Sequence, residues 1–81
     1  MMSIDAILEK TWRMWNEERA RYYPSPEDRY EWVISYDLGS AIERRALREG
    51  YRFDEPLMLY NIPVRIEYEK TNTIELWKKV G

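Results

Sequence analysis

Between Ile62 and Glu69 the chain alternates for eight residues: Ile62, Val64, Ile66 and Tyr68 fall on one side, Pro63, Arg65, Glu67 and Glu69 on the other. A period of two is the signature of a strand with one buried and one wet face. Such a strand cannot bury its apolar face alone. It needs neighbouring strands to satisfy its backbone and a second layer to cover its side chains. In a chain of 81 residues that leaves room for one small sheet, a cover and little else.

The cover is written at the start of the chain. Ile4, Ile7, Leu8, Thr11, Trp12 and Trp15 have the spacing of one helix face. Glu9, Arg13, Glu17 and Arg21 place alternating charges four apart on a solvated face. Ser3 is a suitable N-cap, and Asp5 complements the helix dipole. "YYPSPED", residues 22 to 28, ends this helix near Tyr22, because the residue before a proline is driven out of the helical region.

"YEWVIS", residues 30 to 35, is short, β-branched and aromatic, and reads as a strand buried on both faces. A second helix follows from about Leu38, capped by Ser35 or Asp37. Its stripe is Leu38, Ala41, Ile42 and Ala46, and Gly50 ends it. "LMLY", residues 57 to 60, is a short apolar strand. Pro63 cannot donate to a ladder, so a kink or bulge is expected at Asn61–Ile62, with the proline nitrogen turned away from any partner. After the turn "EKTNT" comes a last strand. It carries Ile74, Leu76 and Val80 on one face and Thr73, Glu75, Trp77 and Lys79 on the other. The last two strands are expected to form a hairpin, with Arg65 and Glu67 pairing across it with Glu75 or Lys79.

These elements predict a single α+β domain over residues 1–81. A long N-terminal helix packs on a mainly antiparallel three- or four-stranded sheet, and a second short helix follows the first strand. A domain this small buries only about 60–65% of its unfolded surface. The chain has no Cys and no His, which removes disulfides and the usual zinc ligand sets as reinforcement. Association with a second copy or a protein partner is the reinforcement left open.

The same two absences remove the commonest general base and the best nucleophile. Only three glycines are present, with no phosphate-binding loop among them. "DRYE" and "FDE" lack calcium-loop spacing. Asp37, at a strand-to-helix junction, is read as a capping residue rather than a catalytic one. The chain is therefore expected to be non-enzymatic, with no catalytic, metal or cofactor residues.

Thirteen basic and fifteen acidic residues give a net charge of −2. That balance gives no general attraction to nucleic acid or to anionic membranes. Arg44, Arg45, Arg48 and Arg52 form the one basic run that could reach phosphates, with Tyr51 stacking. A solvated helix end paired with Glu43 and Glu49 is favoured over it. No apolar run approaches the roughly 18–20 residues a membrane span needs. The first residues lack the basic start and long apolar stretch of a secretory signal. An intracellular setting is expected.

Four Trp, seven Tyr and one Phe make up 15% of the chain, more flat side chains than so thin a core readily encloses. The surplus is expected at an interface, where Trp and Tyr are enriched. The candidate interface residues are Trp12, Met14, Trp15, Tyr22, Tyr23 and Trp77.

"EWVIS", "YDLGSAIERRALREG", "LYNIPVRIE" and "TIELWKK" together resemble the strand–helix–hairpin segment of tailed-phage major-capsid-type folds. There a strand ending in Ser leads through a helix to "L-x-G-x-P-V" and a final "I-x-L" strand. Asn61 stands where that pattern has Gly. The resemblance spans residues 31–80 and implies a compact phage-encoded module. It would be a self-associating virion accessory protein or an inhibitor of a host nucleic-acid-processing enzyme. The inhibitor reading uses the acidic surface of Glu17, Glu18, Glu27 and Asp28.

Overall fold

The computed structural model describes residues 2–22, 29–52 and 54–79. The order of elements is α1 (Ile4–Tyr22), β1 (Arg29–Ser35), α2 (Tyr36–Arg48), β2 (Met58–Leu59), β3 (Ile62–Glu67) and β4 (Ile74–Lys79). The four strands form one sheet in the order β2-β3-β1-β4. Two of the pairings, β2 with β3 and β1 with β4, are antiparallel; β1 and β3 run parallel. This is the expected α+β arrangement, with both helices on one side of a mixed sheet.

The helix ends follow from their residues. Ser3 caps α1 with its hydroxyl, accepting from the Ala6 amide at 3.2 Å, while its carbonyl takes the Ile7 amide at 3.0 Å. Ile7 and Thr11 are the fully buried positions of α1. The Thr11 hydroxyl donates back to the Ile7 and Leu8 carbonyls, so a polar residue sits in the core with its bonding satisfied. At the end of α2, Gly50 takes a φ of 101°. The Gly50 amide reaches Leu47 and the Tyr51 amide reaches Ala46. That pair of bonds is the Schellman closure that a left-handed glycine permits.

The second helix begins at Tyr36, two residues earlier than the sequence suggests. Ser35 is its N-cap residue, yet its side chain makes no cap bond. The hydroxyl is occupied elsewhere, accepting the Thr73 amide at 3.0 Å.

The core lies between the helices and one face of the sheet. It is built from Ile7, Trp32, Ile34, Leu38, Ile42, Leu57, Leu59, Ile62 and Ile74. Trp32 has no exposed surface, and its indole N–H donates to the Leu59 carbonyl at 3.1 Å. A buried indole therefore ties β1 to β2 across the intervening β3. The expectation that "YEWVIS" is buried on both faces holds for Trp32, Val33, Ile34 and Ser35. On the face away from the helices, Val33 is 2% exposed and lies in register between Arg65 and Glu75.

The expected hairpin of the last two strands does not form. β1 lies between β3 and β4 and pairs with both. The segment after β3 instead crosses the end of β1 to reach the far side of the sheet. This crossing is pinned by four polar contacts. Ser35 and Thr73 exchange bonds at 3.0 Å each, and the Asn72 amide is shared by both Asp37 carboxylate oxygens at 3.1 Å. The hairpin lies elsewhere, between β2 and β3, with Leu59 opposite Ile62 and Met58 opposite Pro63. Its two-residue turn, Tyr60–Asn61, has φ values of 55° and 62°, as the right-handed twist of a tight hairpin requires.

The expected kink at Asn61–Ile62 is therefore a full reversal. Pro63 nevertheless sits where a proline can. The Val64 amide donates to Leu57 in the β2 direction, so the Pro63 nitrogen points to the β1 side. The register with β1 begins one residue later, at Trp32 opposite Val64.

Candidate protein interface

The pleat divides each strand between the covered and the open face of the sheet. Trp32, Ile34, Val64, Ile66, Ile74 and Leu76 share the helix-covered side by register. Met58, Pro63, Arg65, Glu31, Glu75, Trp77 and Lys79 share the other. No described element covers that second face.

At the centre of the open face Glu31 receives two cations from the flanking strands. Arg65 approaches at 3.4 Å from β3 and Lys79 at 3.6 Å from β4. The pairing expected of Arg65 and Glu67 with Glu75 or Lys79 is not made, because β1 separates β3 from β4; Arg65 and Lys79 both turn to Glu31, and Glu75 to Lys70. Arg65 also lies over the Trp77 ring, 5.3 Å from its centroid. Trp77 keeps 46% of its surface exposed, and Met58 on the same face keeps 45%.

The predicted interface residues do not form one patch. Trp12 is 48% exposed on α1, tilted against Tyr60 with ring centroids 5.1 Å apart. Trp15 is half-buried, edge-on to Tyr30 at 5.0 Å and packed against the core. The Arg19 guanidinium lies over both rings, at 5.7 and 5.6 Å. Met14 is half-buried on another flank of α1, where it lines a shallow cleft with Glu17, Glu18, Arg21 and Leu76. Trp77 faces the opposite side of the molecule. Tyr23 and the side chain of Tyr22 lie outside the described residues, as do Glu27 and Asp28 of the expected acidic surface.

Two further exposed aromatics lie outside the expected interface residues. Tyr36 and Tyr68, the latter 73% exposed, stack with centroids 5.3 Å apart beside the crossing segment. Tyr68 continues the alternation of β3 beyond the strand's last residue, so its period suggested a core position that the end of the strand denies it.

The arginines of α2 and of the segment that follows it are unevenly engaged. Arg45 binds Glu49 at 2.9 Å and approaches Asp5 at 3.9 Å; Arg52 meets Asp54 at 3.4 Å. Arg44 and Arg48 are exposed. Asp37 is neither a cap nor isolated. The Ser35 hydroxyl, with the amides of Asn72, Leu38 and Asp37 itself, holds its carboxyl below the ordinary carboxylate value against a smaller opposing effect of desolvation. Its bonds serve the crossing segment.

Among the described residues no three acidic side chains are placed to hold a metal ion, and no helix is long and apolar enough to cross a membrane. Comparison with protein families, with curated proteins and with solved structures yields no match for this chain.

Proposed function

We propose that the chain is a non-enzymatic protein-interaction module that associates with itself. The observation that carries this reading is the uncovered second face of the sheet, which displays Trp77 and Met58 around a paired charge cluster. Large flat side chains over a polar network are what interface centres use. A small core also gains stability from every partner that binds only the folded state. A virion is one setting for such a module, and it rests on the capsid-type resemblance alone.

Two alternatives have less support. Nucleic-acid binding through Arg44, Arg45, Arg48 and Arg52 is weakened by the acidic partners of Arg45 and Arg52. Inhibition of a host nucleic-acid-processing enzyme has Glu17 and Glu18 in its favour, which line a shallow cleft with Met14, Arg21 and Leu76.

Light scattering over a concentration series tests the leading reading. A mass that rises with concentration, and falls back when Trp77→Ala is introduced, supports it. A strict monomer at the highest concentration reached, with no partner retained, overturns it. Nucleic-acid affinity falling steeply with salt and lost in Arg44→Ala with Arg48→Ala would put the first alternative in its place.

A further inference from the structure

We propose that a second copy of the chain pairs with the outer edge of β4, antiparallel, about a two-fold axis at Trp77. This inference rests on the self-association reading and gives it a surface and a register.

Among the described residues β4 is an edge strand of six residues that pairs with β1 on one side only. The opposite edge of the sheet, β2, has two. An unpaired row of backbone amides and carbonyls is a template for another strand. Charges usually blunt such an edge, and β4 does carry Glu75, Lys78 and Lys79. What matters is their order.

Two copies related by a two-fold axis place like-facing residues opposite each other, so the axis must pass through a residue. Centred on Glu75, the pairing sets that carboxylate against itself. Centred on Lys78, it sets lysine against lysine. Centred on Leu76, it opposes Glu75 to Trp77 and joins no opposite charges. Centred on Trp77, it opposes Glu75 to Lys79 twice, on either side of a Trp77–Trp77 pair. That register alone matches opposite charges directly, and cross-strand pairs of this kind favour association while like charges oppose it.

The covered side of the sheet agrees with the same register. Lys78 of the second copy falls opposite Leu76, which lines the cleft with Met14, Glu17, Glu18 and Arg21. An incoming ammonium there meets two carboxylates and one guanidinium. A heterologous strand would have no reason to find an acid–aromatic–base sequence that reads the same under inversion of direction and sign. A second copy does.

The present partners of Glu75 and Lys79 do not block the exchange. Glu75 meets Lys70 at 3.4 Å and Lys79 meets Glu31 at 3.6 Å. All but Glu31 are well exposed, and exposed pairs of this length contribute little.

Sedimentation equilibrium of the full chain tests the register with Glu75→Lys and Lys79→Glu. The first variant presents only cations at the opposed positions, the second only anions. Each alone should dimerise at least about tenfold more weakly than the parent. An equimolar mixture of the two should associate, as should the double variant. A parent that dimerises while both variants dimerise equally well, or while their mixture stays monomeric, overturns the β4 pairing and leaves self-association standing. A monomeric parent overturns both. If either variant fails to fold by circular dichroism, amide exchange of the parent decides. Protection along β4 that increases with protein concentration supports the pairing, and its absence refutes it.

Discussion

At the residue scale, a few polar groups hold the chain's least local connection. Asp37 is the clearest. Its carboxylate is stabilised by the Ser35 hydroxyl and by backbone amides that include Asn72 from the crossing segment. A carboxyl whose folded pKa lies below its unfolded value of about 3.9 adds stability at higher pH. That contribution disappears as pH falls through the folded value. Urea unfolding of the parent and Asp37→Asn across a pH series should therefore show the parent more stable at pH 7. The gap should close once the solution is more acidic than the folded carboxyl. A constant gap down to the lowest pH would mean that the ionised form is not what Asn72 and Ser35 favour. The sequence marks Asp37 only as a cap. Ser35 is a local partner, but Asn72 lies 35 residues away, and no local pattern reports that distance.

At the element scale, two backbone features set how strands and helices meet. Asn61 holds a φ of 62° in the β2–β3 turn, a conformation that costs β-branched residues most. Asn61→Val should lower stability by about 1–2 kcal/mol, whereas Asn61→Gly should be neutral or slightly stabilising, both read from chemical denaturation. Gly39 is buried in α2, and a Cβ there would run into the terminal Cδ1 of Ile66. Alanine would gain up to about 1 kcal/mol of helix propensity; because the atom in its way is the movable end of a side chain, the overpacking cost falls at the low end of about 1–3 kcal/mol, so Gly39→Ala should be near neutral to mildly destabilising. Shortening the obstacle with Ile66→Val should make the double variant more stable than the two single losses predict, a coupling measured by a double-mutant cycle. The helices, the strands and their buried faces are legible in the sequence because period and caps are local. The tight approach of α2 to β3 is not, since a glycine inside a helical pattern looks only like a weak helix former.

At the scale of the whole molecule, the fold is a thin sheet roofed on one side. Of the aromatic side chains among the described residues only Trp32 is fully buried; Trp12, Tyr36, Tyr68 and Trp77 are exposed. If association covers Trp77, the folded state is stabilised by mass action. The midpoint of thermal unfolding should then rise with protein concentration, by a few degrees per tenfold for a domain of this size. The same series on Trp77→Ala should be flat. A parent midpoint independent of concentration would mean that no association accompanies folding in that range. The interface candidates read from the sequence were scattered by the fold. The helix period places Trp12 and Trp15 on one flank of α1, but nothing in a one-dimensional pattern says that Trp77 ends on the opposite side of the molecule.

By itself the sequence determined the class of the domain, the extent of α1, the depth of "WVIS" in the sheet and which faces of β3 and β4 are apolar. Each depends on residues within a turn or a strand of one another. Only the tertiary structure decided the strand order, in which β1 separates the two strands that look like a hairpin. Hydropathy fixes how deeply a strand lies and says nothing about which strands flank it. The choice falls to contacts between distant residues: the Trp32 indole on Leu59, Ser35 on Thr73, and Asp37 on Asn72.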